Sequence, residues 1–136
     1  MALSVVIASV RSVTDTADTA RRFLATLEAR DWEAWSALLA EDVVYEMPQT
    51  RERIRGRTDY LEFNVRYPGD WHLDPKVVIG DERRAVVWFA FRLDEDTGDG
   101  QVFLEVGEDG LITRVTDFWP EPYEPPERLG GSVERW

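Results

Sequence analysis

Residues Trp71–Trp119 read WHLDPKVVIGDERRAVVWFAFRLDEDTGDGQVFLEVGEDGLITRVTDFW, and the fold is decided by how this run is parsed. Three strand-like stretches, Trp71 to Ile79, Ala85 to Leu93 and Gln101 to Val106, are followed by a fourth, Leu111 to Trp119. The separators are Gly80-Asp81, Asp94 to Gly100 and Gly107 to Gly110, each with turn chemistry that suits a hairpin. Strands joined this closely run antiparallel, because parallel neighbours need a crossover helix between them. The predicted sheet is apolar on both faces at its middle. From Val86 to Asp94, Trp88, Ala90 and Arg92 share one face, and Phe89, Phe91 and Leu93 share the other. One face can pack under helices; the second asks for another cover, and a homodimer through the outer sheet face supplies it.

Upstream of the meander the pattern is helical. Ala20, Phe23, Leu24 and Leu27 recur at helical spacing behind a cap at Thr14 or Asp15, and Arg30 suits the negative end of that helix. Asp31 caps a short second helix whose apolar face is Trp32, Trp35, Leu38 and Leu39. Val43 to Met47 reads as a strand closed by Pro48, and Gln49 to Arg57 as a basic loop. Thr58 opens a third helix that stops at Pro68-Gly69. Helices gathered ahead of a curved antiparallel sheet predict an α+β fold. The expected division is an N-terminal arm over 1–13, a domain over 14–120 and a Pro-rich strap over 121–136. The apolar run Leu3 to Val10 has no basic residue before it and is too short to span a bilayer, so it reads as a packing strand or arm in a cytoplasmic protein.

Composition narrows the partners. The 136 residues carry 27 acidic and 16 basic side chains, a net charge of -11 that repels phosphate backbones and anionic lipid surfaces. Nucleic acid and membrane are therefore excluded as expected partners. No cysteine and one histidine leave nothing suited to zinc or copper, and no glycine-rich phosphate loop is present, so neither metal nor cofactor is expected.

Specific segments then carry a resemblance. Ala29-Arg30-Asp31-Trp32, Glu41-Asp42-Val43-Val44-Tyr45, Arg55-Gly56-Arg57 and Asp109 to Trp119, in this element order, resemble the SnoaL-like branch of the nuclear-transport-factor-two-like superfamily. The resemblance spans roughly Asp15 to Pro120. It implies a cone-shaped barrel, a curved antiparallel sheet wrapped on N-terminal helices, with a small-molecule pocket. It does not imply one activity, because the superfamily holds isomerases, cyclases, epoxide hydrolases and non-catalytic binders.

Individual positions say more. The three proton-handling positions of ketosteroid isomerase relatives fall on Phe23, Met47 and roughly Val102, none of which can exchange a proton, so that chemistry is not expected. Limonene-epoxide hydrolase relatives use an Asp-Arg-Asp set, for which Arg92-Leu93-Asp94 and Asp117-Phe118 are the nearest matches, without the relatives' first-strand asparagine. SnoaL-like cyclases place an acid/base aspartate on the last strands, and Asp117 is the nearest match. Thr113, Val115, Asp117 and Trp119 share a strand face. If that face lines the cone, Trp71, Trp88 and Trp119 surround Asp117 and raise its pKa.

The expected catalytic group is thus Asp117 as proton shuttle, Arg92 as orienting charge, and Asp94 or His72 as second proton carrier. Glu46, Met47, Trp71, Trp88, Val102, Val115 and Trp119 are the expected pocket. Each has a plainer alternative: Asp117 as a sheet-end carboxylate held by an Arg or an amide, Asp94 as a solvated turn residue, His72 as a structural hydrogen bonder, and Arg51 or Arg53 as partners for Glu46. The expected function is cofactor-free acid/base chemistry of isomerase, cyclase or hydrolase type on a small apolar molecule. The rivals are a non-catalytic ligand binder and a dimeric accessory protein of the same fold.

Overall fold

A computed structural model describes residues 2–136, with side chains from Thr16 onward. Helix α1 spans Ala2–Ala29 and buries Ala20, Phe23, Leu24 and Leu27, the stripe expected from their spacing. The helix is continuous through the stretch expected as an arm, so positions 14 and 15 lie within it rather than at its start. No glycine or proline interrupts Ala2 to Ala29, and Thr or Asp costs a helix interior only a few tenths of a kcal/mol. Arg30 ends α1 in the left-handed region at φ 57; its amide donates to the Leu27 carbonyl, and its Nη1 donates to the carbonyls of Leu27 and Glu28 in the last turn.

Asp31 caps α2 (Trp32–Ser36), accepting from the Ala34 amide at 3.2 Å. That helix is shorter than expected, because Leu39 already belongs to β1 (Leu39–Met47) and pairs with Ile112. The basic stretch expected as loop folds back as β2 (Glu52–Arg55), in antiparallel register with β1 from Val44↔Arg55 to Met47↔Glu52. Helix α3 (Arg57–Val65) begins at Gly56, and no side chain caps it, Thr58 included.

The meander follows as β3 (Trp71–Gly80), β4 (Arg84–Leu93), β5 (Asp96–Val106) and β6 (Ile112–Phe118). β5 starts five residues earlier than expected: Leu93 pairs with Asp96 across a two-residue turn in which Asp94 has φ 54. The strand order is β2-β1-β6-β5-β4-β3. The α+β arrangement of N-terminal helices on a curved sheet is as expected; β1 and β6 pair in parallel, so that sheet is mixed rather than antiparallel throughout, and it is open at β2 and β3. The parallel pairing comes about because β1 and β6 are far apart in sequence and are not joined by a hairpin.

The curved sheet and the helices enclose one core, in which Trp35, Leu39, Val43, Val87, Leu104, Ile112 and Val115 are fully buried. α1 lies along the edge strand β3. At Gly80 the approach is so close that a Cβ would stand 2.8 Å from the Ala17 amide nitrogen, and the Thr16 hydroxyl donates to the Asp81 carbonyl. At the other end Glu28 covers the edge by accepting the Leu73 amide at 3.1 Å. Residues 120–136 form no regular element, and Tyr123, Leu129 and Trp136 are fully or largely exposed in the single chain.

Candidate functional site around Asp117

Alternation along β1 sends Val43 and Tyr45 into the core and Glu46 to the outer sheet face. On β6 the same rule sends Val115 and Asp117 inward, and the parallel register Tyr45↔Val115 brings the tyrosine alongside the aspartate. The Tyr45 hydroxyl donates to Asp117 Oδ2 at 2.8 Å. Asp117 Oδ1 is buried with no hydrogen-bonding partner. Burial pushes the carboxyl up to about 6, opposed by the Tyr45 hydrogen bond and by the nearby Trp119 indole, which falls short of a hydrogen bond to Oδ1. Burial first, and then the facing carboxylate, hold the Tyr45 hydroxyl far above the ordinary phenol value, so it keeps its proton and stays a donor.

Aromatic rings wall this pair. Tyr60, buried at 3% exposure, stacks on Tyr45 with centroids 4.6 Å apart, and Phe63 packs at 5.8 Å. Burial also raises the Tyr60 hydroxyl, with Tyr45 and Asp117 adding to the shift. Trp119 stands edge-on to Phe89 at 5.3 Å and to Phe91 at 5.0 Å. Val102, at 2% exposure, is the cross-strand neighbour of Asp117, and Met47 Sδ lies 4.0 Å from the Tyr45 hydroxyl. Val115 is fully buried one step back along β6.

Three expected pocket residues lie elsewhere. Glu46 is on the outer face, where Arg53 donates to it from Nε and Nη2 at 2.8 and 2.6 Å and Arg114 from Nη1. These cations hold its carboxyl below the usual range, the Arg53 hydrogen bonds being the largest cause. Strand alternation makes Glu46 and Met47 alternatives, since adjacent residues cannot share a face. Trp88 also faces outward at 42% exposure and donates from Nε1 to Asp99 at 3.0 Å; Phe89 and Phe91 hold the inner positions instead. Trp71 packs on the core below the Arg30 guanidinium, 3.2 Å from its ring centroid, at the far end of the sheet.

The expected charged partners gather at that far end as well. His72 lies between two carboxylates, with Nδ1 3.1 Å from Glu28 and Nε2 2.8 Å from Asp70. Arg92 Nη1 donates to Asp70 at 3.3 Å and to the Asp94 carbonyl. Asp94 Oδ1 accepts the Asp70 amide, and the Asp94 amide donates back to the Asp70 carbonyl, both at 2.9 Å. The His72 hydrogen bond, then Arg92, lower the Asp70 carboxyl. Arg92 pairs with Thr97 on β5, whereas Asp117 pairs with Val102. Five residues along one strand is roughly 16 Å, and odd spacing puts the two side chains on opposite faces. The structure therefore brings neither Arg92, Asp94 nor His72 to Asp117.

His72 and Arg92 instead line an open groove of about 850 Å³ between α1 and strands β3, β4 and β5, whose lining also includes Leu24, Leu73 and Phe91. Among the described residues no cluster of three or more His, Asp or Glu side chains could hold a metal ion, and no helix is long and apolar enough to cross a membrane. Tyr45, Tyr60, Phe89 and Phe91 are the site residues that sequence reasoning left out. Alternation with buried Val43 marks Tyr45, but no local signal shows which face of β4 turns inward when both are aromatic.

Comparison with known proteins agrees with this architecture. A family model described as the SnoaL-like domain matches residues 20–115. The uncharacterized protein YesE of Bacillus subtilis (strain 168) is 31% identical over 130 residues, covering 85% of this chain and 87% of the relative. The crystal structure of a candidate ketosteroid isomerase from Kribbella flavida DSM 17836 is 51% identical, with a TM-score of 0.86 and 90% of each chain covered. A nuclear-transport-factor-two-like protein of unknown function from Cytophaga hutchinsonii ATCC 33406 shares only the fold, at 14% identity, a TM-score of 0.66, and 75% and 87% coverage. With the matched segment running from α1 into β6, the chain belongs to the SnoaL-like family of the nuclear-transport-factor-two-like superfamily.

Proposed function

We propose that the protein performs cofactor-free acid/base chemistry on a small, largely apolar molecule, with Asp117 as the proton-handling group and Tyr45 positioning it. One observation carries this reading: a carboxyl walled by aromatic rings, held by one tyrosine through Oδ2, with Oδ1 buried and unpartnered. A carboxyl raised to about 6 is ionised at neutral pH yet basic enough to accept a proton from a ligand C–H or O–H. In that step the ligand bond breaks, the proton passes to Oδ1, and the electron pair stays on the ligand. Tyr45 keeps its own proton and favours the ionised form. Isomerisation, cyclisation and hydrolysis all use such a group.

Ketosteroid isomerisation itself is not favoured, despite the similarity to a candidate isomerase. Phe23 and Val102 are buried hydrocarbon and Met47 is a thioether, so the three positions which that chemistry needs hold no acid or base. The test is hydrogen–deuterium exchange at the α-carbon of a panel of small enolisable aromatic and terpenoid ketones in heavy water, followed by NMR. Enzyme-dependent exchange should fall about a hundredfold in Asp117→Asn. Equal exchange in the two proteins, or none in either, overturns the proposal.

A non-catalytic binder is the second reading, favoured by the open groove that does not include Asp117. For assembly we propose a homodimer through the outer sheet face, supported by the exposure there of Val77, Ile79, Trp88 and Phe103.

A further inference from the structure

Most of the large apolar side chains left exposed among the described residues fall in two places. Val77, Ile79, Trp88 and Phe103 stand on the outer sheet face, and Tyr123, Leu129, Val133 and Trp136 stand on the C-terminal segment. Register makes the first set one patch: Val77 lies opposite Trp88, Ile79 opposite Val86, and Val86 opposite Phe103. Phe118 extends the patch to β6, meeting Phe103 edge-on at 5.7 Å. Toward β2 the same face turns basic, with Arg53, Arg55 and Arg114. Arg53 and Arg114 share Glu46, whereas Arg55 is exposed and among the described residues no carboxylate pairs with it.

The chain leaves the sheet just past Phe118, where the Gln49 side chain of the β1–β2 turn holds the Trp119 amide. The segment Glu121-Pro122-Tyr123-Glu124-Pro125-Pro126-Glu127 then sets an acid at every third position. A polyproline helix turns once in three residues, so in that conformation the three acids share one side, about 9 Å apart. Apolar Leu129, Val133 and Trp136 follow. The chain bends at Gly130, with φ 82, and Arg135 Nη2 returns to within 3.2 Å of Glu124. The arm is thus acidic in its first half and apolar in its second, which matches the basic corner and the apolar patch of the sheet face. At 97% and 114% exposure, Leu129 and Trp136 pack on nothing in their own chain.

We infer that the C-terminal arm of one copy lies across the outer sheet face of a second copy, and that the exchange is mutual. This deepens the homodimer proposed for that face and rests on it. A sheet that curves around its own helices is convex outside, and two convex faces touch only at their middle. Val77 and Ile79, on the edge strand β3, lie away from such a contact and need a further cover. A twofold axis supplies it to both copies at once, because each arm then meets the same surface. Leu129, Val133 and Trp136 take the apolar patch, and the acids of the first half face Arg55 and its neighbours. Proline-rich segments dock on aromatic surfaces in this way. Trp88 is a prepared anchor: its Nε1 donates to Asp99 at 3.0 Å and Lys76 stands 5.2 Å from its ring centroid, so little side-chain freedom is lost on docking.

The test is photo-cross-linking in the full chain, with a benzophenone amino acid at position 136 and an equal mixture of nitrogen-15 and unlabelled protein. After irradiation, mass spectrometry should find arm peptides of one isotope joined to β4 or β5 peptides of the other. In parallel, the double variant Leu129→Ser, Trp136→Ser should stay folded and raise the dimer dissociation constant about thirtyfold in sedimentation, as loss of an aromatic anchor does. A dimer whose cross-links stay within one isotope, or miss the sheet, overturns the arm exchange and leaves the sheet-face dimer standing. An unchanged dissociation constant in the double variant does the same. A wild-type chain that sediments as a monomer overturns both readings.

Discussion

Asp117 is where a single residue leaves a mark on the whole molecule's pH response. Its carboxyl titrates near 6 in the fold and near the ordinary aspartate value of about 4 when unfolded. Between these values the native state binds more protons than the unfolded one, so stability falls as pH rises through the window, by up to about 3 kcal/mol. Asp117→Asn should abolish that slope, and urea unfolding at pH 4.5 and pH 7 will show it as a smaller difference between the two midpoints. Tyr45→Phe acts in the opposite sense. It removes the hydrogen bond that favours the carboxylate, so the Asp117 midpoint should rise further and the variant should lose about 1–3 kcal/mol at pH 7 but little at pH 4.5. Asp117 was legible as a candidate because the segment from Asp109 to Trp119 resembles relatives that place an acid/base aspartate on the last strands. Alternation could place Tyr45 on the same face as Val43, but its bond to Asp117 was not legible, because that partner comes from a strand 72 residues away.

At the scale of elements, the seam between α1 and the edge strand β3 does two jobs: it covers an open sheet edge and forms one wall of the groove. Gly80 sets the distance of this seam. Gly80→Ala drives a Cβ against the backbone of Ala17 and should cost about 1–3 kcal/mol, read as a lowered Tm, with the β4–β5 hairpin unaffected by hydrogen exchange. Helical spacing revealed the buried stripe of α1, and turn residues revealed the four meander strands. Element limits were less legible where tertiary pairing overrode local signals: Leu39 left the helix to pair with Ile112, and the polar Asp96–Gly100 stretch became strand because Leu93 to Phe89 line up across from it.

At the scale of the whole molecule, the outer face of the sheet carries Val77, Ile79, Trp88 and Phe103, each at least 39% exposed in the single chain. An apolar face of this kind in water favours association. Sedimentation should show a dimer for the wild-type chain, and Phe103→Glu should give a folded monomer because it places an unpaired charge at that contact. A dimer undisturbed by Phe103→Glu puts the interface elsewhere.

By itself the sequence determined the order of helices and strands, the α+β class, the family and the candidacy of Asp117, because periodicity, turn chemistry and short motifs are local properties of the chain. Only the tertiary structure decided which face of each strand turns inward, that β1 runs parallel beside β6, and that Asp117 meets Tyr45 rather than Arg92, Asp94 or His72. The physical reason is register. A shift of one residue carries every side chain of a strand to the other face, and pairing between distant strands is set by packing of the whole core, not by any one segment.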